Sequence, residues 1–537
     1  MVNVAGRSKG CNTCRRRKKG CDLQRPSCLR CTKDGHVCEG YERKTEFVYH
    51  EAPPEDGSDR LRIKRNPPQH PRYKPKPQSQ NFETTTSSFS QQSMSLSSEA
   101  THSALVGAFL DLYSPTASFQ PNARSPDDYI RGWANMVMSE SKDSIILSNS
   151  LRAISLCCLS NKNNNNTMMH HGAQLYGKSL LQLNRVLQSP KTAAKDTTIL
   201  SACMLLGSYE QFNKLNHENP WAKAMNWIAH TEGVASIFQM RGPEQTTSPE
   251  ALQLFRMSRQ SQFAYSLTLQ KASVFASEVW CTIPWRNDQK TLKDLLYDIL
   301  LQIPNAMEKG RLATPSNNIE TYLEIITDYL EIHSRLEQWF TTLTKQISKQ
   351  NFFSEDIESL AADEYMSHGV GIAQSTVMFW TGMVIVHMGL SDFANRIRAN
   401  GRAQDLPLAY MVYENTANPR KYIDSILASV KYFLNPSNGI ASLQCITVPV
   451  GTAIHFFMSS QASKASNVQP QVSQGDAEGN QNSADSTRKE PLDKLMQYPE
   501  ARELSKQVFE SVETNPWANS LGSFLIGMGV KSGVVFD

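Results

Sequence analysis

From about Ser103 onward, apolar side chains recur every three or four residues, as in Ala104, Ala108 and Leu112. Met168, Leu175, Leu183 and Leu187 repeat the pattern, with the small Ser179 in the same row. That is the period of a helix turning one face to a core. The same spacing predicts helices over 197–212, 221–240, 249–279, 318–347, 365–396, 418–433 and 440–458. Alternation with a period of two, the mark of a half-buried strand, is hardly present. Breaks fall where the backbone chemistry asks for them: at the Asn163 to Asn166 run, and at Ser189-Pro190, Asn219-Pro220, Gly242-Pro243, Ile283-Pro284 and Asn435-Pro436. The pattern predicts a mainly α protein with a large all-helical domain over 101–537.

Two stretches lack this pattern. Among residues 51–100, Ser, Pro and Gln supply 21 of the fifty positions, whereas Leu, Ile, Val and Met supply only Leu61, Ile63, Met94 and Leu96. So little apolar surface cannot offset the entropy of ordering, so 45–100 is expected to be a disordered linker. A second polar tract at 460–490 reads as a surface loop, followed by a helix over 492–512. No repeat of fixed period occurs. The amino-terminal MVNVAGRSKGC has no apolar signal region, and no stretch approaches the ~18 uninterrupted apolar residues of a spanning helix. The expectation is a soluble intracellular protein with no membrane partner.

Composition adds little until its distribution is considered. Over 537 residues the hydrophobic share is 40% and the charged share 20%, ordinary globular usage that excludes a wholly disordered, collagen-like or disulfide-stapled chain. Six of the eleven cysteines, however, lie between Cys11 and Cys38. In a reducing compartment such a cluster points to metal. Charge is as uneven: residues 1–44 carry a net +8, while the rest carry −4 against a total of +4. A basic head on a mildly acidic body calls for a polyanionic partner at one end.

The cysteines are spaced Cys11-x2-Cys14-x6-Cys21-x6-Cys28-x2-Cys31-x6-Cys38, two near-identical halves. A structural zinc ion takes four tetrahedral ligands, and a CxxC turn brings two thiolates to one ion. Two ions need eight ligand positions, so with six thiolates two sulfurs must bridge, and one from each half would do this. Between Cys14 and Cys21 the run Arg15, Arg16, Arg17, Lys18, Lys19 places five cations on one expected short helix that Gly20 ends. Such a helix suits the major groove, where Arg or Lys reads guanine and other cations neutralise phosphates.

On these residues the first forty positions resemble the fungal Zn2Cys6 binuclear-cluster transcription factors. All six cysteines, Arg15, Arg17, Lys18, the Cys21-Asp22 pair and Pro26 fit the family's motif. The resemblance implies a small Zn2Cys6 zinc finger over 1–44 holding two zinc ions, with Cys11 and Cys28 bridging. It also implies that Lys18 contacts bases of a CGG-like triplet while Arg15 and Arg17 contact the DNA backbone. Gly20 departs from the basic residue usual before the third cysteine, which bears on a phosphate contact there and not on the metal. The helical body is similar to the fungal-specific transcription factor regulatory domain in YGKSLLQLNRVLQ (176–188), ILSACMLLGSYEQF (199–212) and WIAHTEGVASIFQMRGP (227–243). The expected function is sequence-specific regulation of transcription in the nucleus, with double-stranded DNA and the transcription machinery or co-regulators as partners. The rival reading is a ligand-sensing or enzyme-like body that uses the finger for targeting. Against catalysis stands the lack of a Gly-rich phosphate loop, HExxH or GxSxG.

Bland readings are preferred for the other chemically suggestive residues. His230 on an apolar helix reads as a core histidine, His170-His171 as a solvated helix start, and Cys157-Cys158 as packed thiols. The stripe Ile319, Tyr322, Ile326, Tyr329, His333, Leu336, Phe340, Leu343, Ile347 would suit a coiled coil but reads as core. Residues 45–100 hold no heptad, so a homodimer built by the body and recognition of a single half-site both stay open. The runs at 15–19 and 60–65 are basic enough for nuclear import, or simply for DNA contact and solvation.

Overall fold

The structure is a computed structural model that describes residues 11–17, 19–24, 27–38, 99–114, 128–214, 220–351 and 362–466. The linker expected at 45–100 falls outside this set except for its last two residues, which begin a helix. The tract at 460–490 beyond Ser466, the helix at 492–512 and the basic run at 60–65 also lie outside it, as does Lys18. The chain divides into two units, Met1–Gln91 and Gln92–Asp537.

The first unit contains two five-residue helices, α1 (Asn12–Arg16) and α2 (Leu29–Lys33). Its buried cluster is made of Cys11, Cys14, Cys28 and Cys31, with Cys21 and Cys38 packed against them.

The second unit is helical throughout its described residues. In chain order it runs α3 (Glu99–Tyr113), α4 (Asp128–Glu140), α5 (Ile145–Asn163), α6 (Asn166–Val186), α7 (Pro190–Ala193), α8 (Thr197–Phe212) and α9 (Pro220–Arg241). It continues with α10 (Pro249–Leu269), α11 (Glu278–Thr282), α12 (Leu292–Leu300), α13 (Ile303–Ala313), α14 (Ile319–Asn351) and α15 (Ala362–Ser367). The last four are α16 (Val370–Ala399), α17 (Leu408–Thr416), α18 (Pro419–Leu434) and α19 (Ala441–Ser466).

Local chemistry sets many of these ends. Asn164 at φ 48° closes α5 in the left-handed region, and the neighbouring Asn165 accepts from the Met168 amide to open α6. One asparagine run thus serves both helix ends. Ser248 caps α10 ahead of Pro249, and Thr291 with Asp294 forms a reciprocal capping box on α12. Two expected helices are shorter than their hydrophobic patterns. The pattern over 249–279 is cut at Gln270, whose φ of 48° turns the chain while its amide bonds back to the Leu267 carbonyl. The pattern over 365–396 is split at Gly369, whose φ of 99° separates α15 from α16.

One apolar core joins the helices. In the first half α5 packs on α6 and α8, and α8 on α9. In the second half α16 is the central rod, enclosed by α14, α18 and α19. Between the halves α10 touches α4, α8 and α9 on one side and α12 and α13 on the other. α16 is long and apolar enough to cross a membrane by composition, yet its most apolar window is 67% buried by neighbouring helices. Its apolarity is that of a core helix. Packing there is tight: a Cβ at Gly389 would stand 2.5 Å from Cζ of Tyr329, and one at Gly310 would stand 2.2 Å from Cζ of Phe393. The stripe on α14 from Tyr322 through Ile326, Tyr329, Leu336 and Leu343 to Ile347 is buried, so it belongs to this core.

Candidate metal centre and nucleic-acid interface

The two CxxC turns build the site by the same local rule. The amide of Cys14 donates to Sγ of Cys11 at 3.3 Å, and that of Cys31 donates to Sγ of Cys28 at 3.3 Å. The third cysteine of each half returns to the first: the Cys11 amide donates to Sγ of Cys21 at 3.4 Å, and the Cys28 amide to Sγ of Cys38 at 3.4 Å. Both halves therefore share one hydrogen-bond pattern, offset by 17 residues. N–H···S bonds of this kind favour the ionised form of sulfur.

The sulfurs fall into two tetrads, Cys11, Cys14, Cys21, Cys28 and Cys11, Cys28, Cys31, Cys38, each with all its Sγ atoms within 4.8 Å of one another. Cys11 and Cys28 belong to both. Zn–S bonds of ~2.3 Å in a tetrahedron give S···S edges of about 3.8 Å. Sγ of Cys11 lies 3.6 Å from that of Cys28 and 3.8 Å from that of Cys31, and Cys14 and Cys28 are 3.6 Å apart. Sγ of Cys14 and Cys31, which fall in different tetrads, stand 3.7 Å apart. The donor set thus fits a pair of zinc ions in both chemistry and scale. Burial pushes the thiols of Cys11, Cys14, Cys28 and Cys31 above their ordinary range. A metal entering this set must displace protons, which ties its hold to pH.

Three contacts organise the polypeptide around the sulfurs. Asp22, directly after the third cysteine, accepts from the amides of Leu29 at 2.9 Å and Arg30 at 3.4 Å, so a carboxylate of the first half caps the helix of the second. Desolvation pushes its pKa up, but those two amides, with its own amide and the Cys28 side chain, outweigh that effect and leave it below its ordinary value. Thr13 Oγ1 donates to the Val37 carbonyl at 3.1 Å, tying the halves again. Arg17 Nη2 lies 3.2 Å from Oδ2 of Asp34, and Arg30 Nε lies 3.6 Å from the same oxygen.

The basic run is less helical than its sequence suggests. Of the five cations, Arg15 and Arg16 lie in α1, while Arg17 lies in the turn that follows and Lys19 in irregular backbone. The Lys19 amide bonds to the Cys14 carbonyl at 2.9 Å, five residues back, a wider turn that ends the α-helix. The chain must bend there to bring Cys21 back to Cys11. Arg17 is also committed to a carboxylate, a partner that the sequence did not reveal.

In the second unit Cys157-Cys158 are interior groups and His230 is half-buried. His230 Nε2 lies 3.0 Å from the hydroxyl of Tyr176, and burial lowers its pKa to about 4. Cys157 and Cys158 are buried, and burial pushes the Cys157 thiol up to about 12. His170 and His171 follow the start of α6, and both are exposed.

Residues 9–46 match the fungal Zn(2)-Cys(6) binuclear cluster domain, and residues 105–307 match the fungal specific transcription factor domain. The aspercryptin biosynthesis cluster-specific transcription regulator atnN of Emericella nidulans is 43% identical over 72 residues. That match covers 12% of this chain and 12% of the relative. No solved structure matches the chain. The second domain match ends within α13, whereas the apolar core continues without interruption through α14, α16, α18 and α19.

Proposed function

The chain carries a fungal Zn(2)-Cys(6) binuclear cluster domain, which binds two zinc ions, followed by a fungal specific transcription factor domain; on that premise we propose that it is a sequence-specific DNA-binding regulator of transcription acting in the nucleus. Cys11, Cys14, Cys21, Cys28, Cys31 and Cys38 hold the zinc, with Cys11 and Cys28 bridging. The observation that carries this reading is the pair of tetrads with two sulfurs in common. When bound, zinc supplies the fixed frame, and the chain's own residues do the recognising.

In this reading Lys18 contacts base edges of a CGG-like triplet, while Arg15 and Arg17 face the phosphate backbone. The net +8 of residues 1–44 supplies the attraction that any such complex needs. Arg17, shared with Asp34, acts as an oriented cation rather than a free one. The helical body recruits the transcription machinery or co-regulators and acts by binding, not catalysis; pairing of two chains through it would set the spacing of half-sites.

The test is selection of preferred sites from random duplexes by zinc-loaded full chain, alongside Lys18→Ala. Wild type should enrich a guanine-containing triplet, and Lys18→Ala should lose about 1–3 kcal/mol of discrimination at that triplet. Equal weakening on all sequences would remove Lys18 from base reading. No enrichment at all would defeat the proposal.

A further inference from the structure

Between Asp143 and Asp196 the chain runs 52 residues without one Asp or Glu, although it has 51 of them in 537. Average usage would put about five there. The same stretch carries Arg152, Lys162, Lys178, Arg185, Lys191 and Lys195. In an otherwise mildly acidic body this is a sharp local excess of positive charge, and it coincides with the hairpin of α5 and α6.

A cleft of about 500 Å³ lies along the seam of that hairpin. Arg152 of α5 and Lys178 of α6 line it from opposite sides, His171 adds a third nitrogen base, and Ile145 and Leu175 supply apolar wall. Among the described residues no carboxylate lines it. The frame beneath is fixed: Asn149 Nδ2 donates to Gln182 Oε1 across the seam at 3.1 Å, and a Cβ at Gly172 would meet the Ala153 carbonyl at 3.1 Å. The helices are therefore locked in close contact under the cleft. Arg152 and Lys178 bring two cations from separate helices to one concave space, and an anion seated between them would interact favourably with both.

We propose that the α5–α6 cleft binds a small organic anion, its acidic head between Arg152 and Lys178 and its apolar body on Ile145 and Leu175. The volume lies in the range of small-molecule sites. A concavity of single-ligand size favours this class over an extended acidic peptide or a nucleic-acid backbone, which would use a longer track. The inference does not depend on how the amino-terminal unit recognises DNA.

The test titrates zinc-loaded full chain with the anionic fluorophore 1-anilinonaphthalene-8-sulfonate and, separately, with its uncharged counterpart N-phenyl-1-naphthylamine. Saturable one-to-one binding of the anion is expected, with the neutral compound much weaker. Losing one charge-assisted contact should weaken the anion about tenfold in Lys178→Gln and in Arg152→Gln. Lys178 is exposed, so its variant tests the site even if Arg152→Gln fails to fold. Equal binding of both fluorophores, or unchanged affinity in Lys178→Gln, would overturn the proposal. So would displacement of the fluorophore by a glutamate-rich peptide or a random duplex at concentrations where benzoate fails.

Discussion

The amino-terminal finger and the helical body solve opposite problems of size. The finger's described residues bury sulfur where a larger domain would bury Leu and Phe, and its two helices have five residues each, too short to be stable alone. The body buries aromatic and aliphatic side chains in one large cluster and a small one of Trp227, Ile228 and Tyr265, with helices of up to 33 residues. One region draws its stability from metal–ligand bonds and the other from apolar burial. Agents that remove one source should leave the other standing.

The largest separation is expected from Cys14→Ala. Structural zinc contributes on the order of 10 kcal/mol or more to folding of such small units, so loss of a ligand should abolish the finger's fold and duplex binding. Native mass spectrometry should show lost zinc, while the body's helical circular dichroism and melting stay as in wild type. A fully zinc-loaded variant would contradict the ligand assignment.

Acid should act on the body through half-buried imidazoles. Burial lowers the pKa of His230 to about 4, and burial with the nearby His333 lowers that of His387 to about 4. Against an ordinary value of ~6.5, the unfolded chain binds more protons between these limits. Stability present above about pH 6.5 is therefore lost as pH falls toward 4, by about 3 kcal/mol for His230 alone. The melting midpoint of the body should fall over this window, and less steeply in His230→Gln; parallel curves would dismiss the role of His230.

Gly310→Ala probes the core directly. Its methyl would be driven into Phe393, so a loss of about 1–3 kcal/mol is expected in the body's melting, with zinc content unchanged. An unaltered midpoint would mean that the ring moves aside freely. The smallest effect belongs to Asp22→Ala, which removes the carboxylate cap on α2. A cost of about 1 kcal/mol is expected, visible as easier zinc removal by a chelator, and Asp22→Asn should restore much of it.

The two regions also differed in how openly the sequence displayed them. Six cysteines at matched intervals state the finger's donor set without any knowledge of packing, because ligand spacing is a local property. The long helices were legible for a similar reason, since α14 and α18 each follow one apolar stripe. Positions fixed by distant partners were hidden. Nothing around Gln270 marks it as a left-handed stop, and Asp34 acquires meaning through Arg17, seventeen residues away. The nine-residue α17 holds too few turns to show a period. The early end of α1 was hidden as well, because it answers to the return of Cys21 rather than to any helix breaker among the arginines.

Joint membership of Cys11 and Cys28 in both tetrads bears on how the finger fills. If both tetrads took zinc, the shared Cys11 and Cys28 would already be held in place for the second ion by the first, so half-filled molecules should be scarce and occupancy should rise sigmoidally with free metal. On that expectation the finger would follow zinc supply in a single step, either armed or slack, with little ground between.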